Sequence, residues 1–300
     1  MGYPDFFRPE PSSIFQRPNI FGKTFFVDSS AGDANNEGTD PNFPLTTLQA
    51  GIDKCTDDNG DYVIVLDCYA EDTPPILLNS ATTHVIGMSM PASWGWCVLV
   101  ESANDLFTLS GNYTELAGFS LAPTAKDAIH VSTSAGAYSW LHHLNFGCAA
   151  GTTVNGIEFD GTSAFTNSLV EDCFFGCTTT SLSGYGIHGN GIFYTVRNCF
   201  FKNCNTKCIN ITSPDTGGGY IHNNMFYDDI ANSPPKGWAI TLAAGSTDWL
   251  VTNNVASTAG LDTGNNPYLD NSTAANTTLR NGWGNNTWGD NLTTPLYSGE

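Results

Sequence analysis

Glu171, Arg197 and His222 place a carboxylate, a guanidinium and an imidazole at successive intervals of 26 and 25 residues, and His142 precedes Glu171 by 29. Brought side by side, such groups could move protons, because an imidazole titrates near neutrality and a carboxylate can be held ionised by a guanidinium. A second set, His130, Glu158, His188 and Asn210, repeats the alternation of imidazole and carboxylate. Stacked about 4.8 Å apart on neighbouring strands, either set could equally be a charge ladder worth about 0.2–1 kcal/mol per pair. The ladder is the reading retained, with Glu171, Arg197, His222, Glu158 and His188 standing as the catalytic candidates. No metal site and no cofactor motif is read in the chain.

Two further residue classes could bind. Trp94, Trp96, Trp140, Trp238 and Trp249 could stack on sugar rings, with the filling of turns or core as the alternative. Phe6, Phe7, Ile14, Phe15 and Phe21 interleave with Pro4, Pro9, Pro11 and Pro18. That stretch is too proline-rich for a helix and too aromatic for a free tail, and predicts an extended anchor on a partner. The nine cysteines include Cys173, Cys177, Cys199, Cys204 and Cys208, whose gaps are loosely metal-like. Stacked core thiols are the preferred reading over zinc or disulfides, because a buried free Cys behaves as a small hydrophobe.

The elements that must position these groups come from a repeat. One phrase recurs as Leu141-His142-His143-Leu144-Asn145-Phe146, Val170-Glu171-Asp172-Cys173-Phe174-Phe175, Val196-Arg197-Asn198-Cys199-Phe200-Phe201, Ile221-His222-Asn223-Asn224-Met225-Phe226 and, more weakly, from Val251. Its starts advance by 29, 26, 25 and 30 residues, and Leu116 and Val85 extend the series upstream. A second, out-of-phase phrase runs through Leu106, Ala128, Gly156, Gly186, Cys208 and Ala239, alternating apolar and polar residues as a half-buried strand does. Two strand types at one shared period predict an all-β solenoid, a parallel β-helix with coils of about 25 residues. Leucine-rich repeats are the competitor at this period, but their Leu-x-x-Leu-x-Leu frame and helical returns are missing. Phe146, Phe175, Phe201 and Phe226 are expected to form one internal stack, Cys173 to lie below Cys199 and Cys148 below Cys177, and Asn198, Asn223 and Asn253 to form an amide ladder near a bend.

A solenoid must cap its ends. Leu48, Ile52 and Cys55 share one helical face behind a Thr N-cap, predicting a short capping helix. The organisation read is an anchor over 1–22, cap and first coil over 23–80, coils over 81–258, and an Asn/Thr/Gly-rich tract over 259–300 that caps the far end or contacts another subunit.

Composition excludes some functions. Ten basic against 29 acidic residues give a formal charge of −19, so no cationic footprint exists for nucleic acid. The same deficit disfavours an anionic polysaccharide unless a metal supplies positive charge. No apolar run reaches the roughly 20 residues of a membrane helix. The first ten residues lack a basic n-region and an apolar h-region, so no signal peptide is read and assembly in a cytoplasm is expected.

The opening Phe25-Phe26-Val27-Asp28, the loop Gly32-Asp33-Ala34-Asn35-Asn36-Glu37-Gly38-Thr39, the helix region Pro44-Leu45-Thr46-Thr47-Leu48-Gln49-Ala50 and the strand Asp61-Tyr62-Val63-Ile64-Val65-Leu66 carry a resemblance. Together with the coils to about 258 they resemble the pectate-lyase-like right-handed β-helix superfamily, which includes phage tailspikes and other virion appendages. The fold hosts lyases, hydrolases, epimerases and inert parts, so the resemblance implies fold more than function. Similar polygalacturonases carry Asn-Thr-Asp, Asp-Asp, Gly-His-Gly and Arg-Ile-Lys on successive coils. Here Asp228-Asp229 matches the second, Gly186-Ile187-His188-Gly189 only imitates the third, and the other two are missing. The expectation is a structural virion component (capsid decoration, head fibre or spike), trimeric like many similar phage β-helices and joined to a capsid or tail protein through residues 1–22. The alternative is a glycan-active tailspike-type hydrolase or lyase, or a glycan-binding module that does not cleave.

Overall fold

The computed structural model describes residues 22–67, 75–88, 97–101, 104–123, 126–132, 136–147, 155–176, 184–191, 193–202, 204, 206–212, 218–227, 239–243, 246–256, 268–270, 281–288 and 295–296. Within them the chain winds into three long sheets of ten, nine and eight strands, here called A, C and B. Every pairing is parallel except the last, Asn286–Trp288 with Pro295–Leu296. Each coil runs from B to A to C. The architecture is the right-handed parallel β-helix expected.

Alternation builds the interior. In sheet A, Val85, Leu116, Leu141, Val170, Val196, Ile221 and Val251 stand in register and face inward. Sheet B contributes Phe107, Ile129, Ile157, Ile187, Ile209 and Ile240 from the second phrase. Sheet C supplies the aromatic stack: Phe146, Phe175, Phe201 and Phe226 have ring centroids 4.3, 4.5 and 5.0 Å apart and all are fully buried. Gly156 and Gly186 make room for it, since a Cβ on either would lie 2.8 Å from the ring of Phe175 or Phe201.

Sharp corners separate the sheets. The residue two places before most sheet A strands is left-handed, at Gly60, Thr82, Tyr113, Tyr138, Asn167, Phe193 and Asp248. So is the residue just after, at Gly118, His143, Asp172, Asn198, Asn223, Asn253 and Asn285. Asn and Gly are frequent there because they tolerate that conformation.

This geometry corrects the predicted amide ladder. Asn198, Asn223 and Asn253 are the exposed corner residues, and the ladder lies one position later. Asn224 Nδ2 donates to Asn254 Oδ1 and Asn254 Nδ2 to Asn286 Oδ1, each at 3.0 Å. Those three side chains are buried, and each also donates to a main-chain carbonyl, of Val196, Ile221 and Val251 respectively. The turn throws the corner side chain outward and returns the next one to the interior. Cys173 and Cys199 occupy this same inward column as buried free thiols, one coil apart. Cys148 and Cys177 lie outside the described residues.

The capping helix spans Leu48–Asp53. Thr47 is its N-cap and accepts from Ala50 N, with Leu48 and Ile52 buried. Beyond residue 258 the strand columns continue, as Tyr268–Asp270, Gly282–Gly284 and Asn286–Trp288 each pair parallel with the preceding coil.

Candidate functional site

The outward side chains of sheet A form two adjacent columns. The first holds His84, Glu115, Trp140, Leu169, Thr195 and Tyr220, and the second Ala117, His142, Glu171, Arg197 and His222. The predicted neighbourhood of His142, Glu171, Arg197 and His222 is therefore real. Its hydrogen bonds run both along the columns and diagonally between them. Glu115 Oε2 lies 2.7 Å from His84 Nδ1, and Glu115 Oε1 lies 2.8 Å from His142 Nε2. Glu171 Oε1 accepts from the Trp140 indole at 2.8 Å, and its Oε2 from Arg197 Nε at 2.6 Å.

A carboxylate only accepts, so the imidazole nitrogens facing Glu115 carry hydrogens. His142 Nδ1 and His143 Nδ1 share a hydrogen bond at 2.7 Å. The result is a chain of hydrogen bonds from His84 through Glu115 and His142 to His143 at the corner. Burial, reinforced by His142, lowers the pKa of His143, while burial and then Glu171 raise that of Asp172 one coil above. His222 stacks on Tyr220 at 3.8 Å and its pKa is lowered by burial and then by Arg197.

Sheet B carries the second predicted column, His130, Glu158, His188 and Asn210, also in register. His188 Nδ1 meets Glu158 Oε2 at 2.6 Å, and His130 Nε2 meets Asp160 Oδ2 at 3.0 Å. Beside them Asp127 is raised to about 6, first by burial, then by Asp105 and Glu158. A carboxyl whose folded pKa exceeds its unfolded value binds more protons when folded, so it opposes folding increasingly as pH rises from about 4 through 6. Asp127→Asn is expected to raise the melting temperature at pH 8 and to leave it unchanged at pH 4. Equal shifts in melts at the two pH values would refute this.

Trp249, offered as a sugar platform, is corrected: it is buried in the core against Tyr194, ring centroids 5.2 Å apart. Trp140 does face outward, but it stacks on His142 at 3.8 Å and its N–H is engaged by Glu171. Trp94, Trp96, Trp238, Asp228, Asp229 and the anchor residues Phe6, Phe7, Ile14, Phe15 and Phe21 lie outside the described residues. Reading the sequence missed Glu115, His84, His143 and Asp127. The first two had a usable signal, since each directly precedes the inward residue of its phrase, Leu116 or Val85. Among the described residues no group of His, Cys, Asp and Glu is arranged to hold a metal ion. Nor is any helix among them long and apolar enough to cross a membrane.

Three parallel sheets with a helical cap define the class, a right-handed parallel β-helix, and the comparisons agree on that fold. Among solved structures the fold is similar to pectate lyase Pel9A, with a TM-score of 0.62 at 14% identity over 89% of this chain and 76% of that one. It is also similar to the GH136 lacto-N-biosidase of Eubacterium ramulus, with a TM-score of 0.57 at 11% identity, over 89% of this chain and 56% of that enzyme. The chain thus spans little more than half the length of the second. At these identities the likeness is one of fold. Comparison of the sequence with protein-family models and with curated proteins finds no match.

Proposed function

We propose that the chain is a structural component of a virion, a capsid-decorating, head-fibre or spike protein that assembles as a homo-oligomer, as a trimer in the reading from sequence, and is held to a capsid or tail protein through residues 1–22. One observation carries this reading against an enzyme: the outward carboxylates of sheet A are spent on neighbouring coils. Both oxygens of Glu115 and both of Glu171 are engaged by His, Trp or Arg side chains of the same face. Hydrolysis of a glycosidic bond needs a carboxyl free to donate its proton and a second facing the sugar or its water. A self-satisfied ladder instead stiffens the rod. The aromatic and proline content of residues 1–22 supports the anchor.

A second reading, contact with a surface glycan that is cleaved or only held, is favoured by Asp127, whose carboxyl is pushed up to about 6 by burial and then by Asp105 and Glu158, toward the range of a general acid. Incubation with bacterial capsule and lipopolysaccharide preparations separates the two, and no new reducing ends or unsaturated sugars are expected. In parallel, replacing Phe6, Phe7, Phe15 and Phe21 together by Ser is expected to abolish incorporation into particles while the isolated chain still folds. Full incorporation of that variant would remove the anchor.

A further inference from the structure

Among the six histidines of the chain, His142 and His143 meet in a way that limits how many protons they can hold. Their Nδ1 atoms are 2.7 Å apart, with ring centroids at 5.0 Å and planes at 80°. Only one hydrogen fits between two nitrogens at that distance, whichever ring supplies it. The Nε2 of His142 already carries a hydrogen, because it faces the Glu115 carboxylate at 2.8 Å. The pair can therefore be neutral, or hold one extra proton, with the bond intact. A second extra proton sets two N–H groups head to head.

The two rings are unequally held. His142 is buried, stacked on Trp140 at 3.8 Å and tied to Glu115. His143 is only partly buried and sits at the corner between sheets A and C with φ of 51°, a conformation that costs a non-glycine residue energy. Main-chain bonds there join neighbouring coils, from Gly118 N to His143 O at 3.1 Å and from His143 N to Glu171 O at 3.4 Å. The charged groups facing His143 are His142 on its own strand and Asp172 and Glu171 on the coil above, Glu171 being tied to Arg197. The sheet C strands that leave these corners carry the uncharged Ser120 and Asn145 outward. Burial and then His142 disfavour charge on His143 more than Asp172 and Glu171 favour it. Asp172, raised by burial and then by Glu171, takes up its own proton as the pH falls and stops countering that charge.

We propose that the His142–His143 pair is a pH-sensitive latch on the corner between sheets A and C, which acid opens by expelling His143. The sign follows from linkage. The closed corner excludes a proton that the open one binds, so opening becomes more favourable as the pH falls below about 6.5, the ordinary imidazole value. With one proton excluded, the opening constant rises about tenfold for each pH unit. Histidine clusters switch contacts in this pH range by the same charge change. The latch goes beyond the proposed structural role and does not depend on it.

Amide hydrogen exchange of the full chain, resolved by NMR between about pH 7 and 5 and corrected for the pH dependence of the exchange chemistry, tests it. The amides of Gly118 and His143 are expected to report an opening that grows about tenfold per pH unit. The amide of Asn253, which donates to Gly284 O at the same corner of a later coil, is expected to show no such growth. His143→Asn installs the residue that later coils carry there, at Asn198, Asn223 and Asn253, and is expected to remove the pH dependence with an unchanged circular dichroism spectrum. His142→Gln keeps a donor for Glu115 but lacks Nδ1, and is expected to do the same. Opening at Gly118 and His143 that ignores pH, equal growth at Asn253, or growth that survives in either folded variant would overturn the latch.

Discussion

Phe201→Ala is expected to destabilise the protein by about 3–5 kcal/mol, the usual cost of removing a buried aromatic ring. Phe201 sits in the middle of the stack, with Phe175 4.5 Å below and Phe226 5.0 Å above, so its removal strips a face from two other rings. Gly186 packs against the same ring, leaving no side chain on that wall to fill the space. Sheets on three sides fix the walls, so collapse into the cavity is limited. The neighbouring Phe200→Ala provides the contrast, because its ring points to solvent on the same strand and should cost about 1 kcal/mol or less. Urea unfolding followed by circular dichroism measures both. If the two substitutions cost the same, the assignment of inward and outward sides in sheet C is wrong.

Asn254→Ala is expected to cost about 2–4 kcal/mol, because several buried partners lose their bonds at once. Asn254 Oδ1 accepts from both the main-chain N and the side-chain amide of Asn224, and its Nδ2 donates to Ile221 O and Asn286 Oδ1. Asn254→Asp should be at least as harmful, since a carboxylate would face two acceptors in place of the donor they require. The adjacent corner residue behaves oppositely. Asn253 is exposed with φ of 56°, so Asn253→Gly should be neutral or slightly favourable and Asn253→Ala should cost only about 1 kcal/mol for its left-handed backbone. Denaturant melts of the four variants decide it. A larger cost at residue 253 than at 254 would place the ladder on the wrong residues.

The polar faces differ accordingly in what they can do. The ladder of Asn224, Asn254 and Asn286 is interior and holds coils in register. The Glu115 and Glu171 clusters lie on the outward face with their carboxylates buried, while the Arg197 side chain is 41% exposed. Removing a partner would leave a buried carboxylate uncompensated, and the intact networks fix side-chain orientation along the face.

Much of this was legible in the chain itself. A side chain inside a β-helix must face inward at every second residue and recur once per coil, so Val170, Val196 and Ile221, or Phe175, Phe201 and Phe226, declare their column by spacing alone. The same periodicity placed Glu171 beside Arg197 and Glu158 beside His188, because register is a one-dimensional property that counting recovers. What counting could not recover was anything that turns on an angle. Whether Asn223 or Asn224 enters the interior depends on a corner residue taking a left-handed φ. Whether Glu115 reaches His142 in the next column depends on side-chain length and direction across coils. Trp249, directly after the left-handed Asp248, was drawn inside by the same corner geometry. Sequence alone determined the pitch, the inward sets and the neighbours above and below, since these follow from alternation and repeat length; only the tertiary structure decided the corners and the diagonal hydrogen bonds, since these require three sheets to meet at particular dihedral angles.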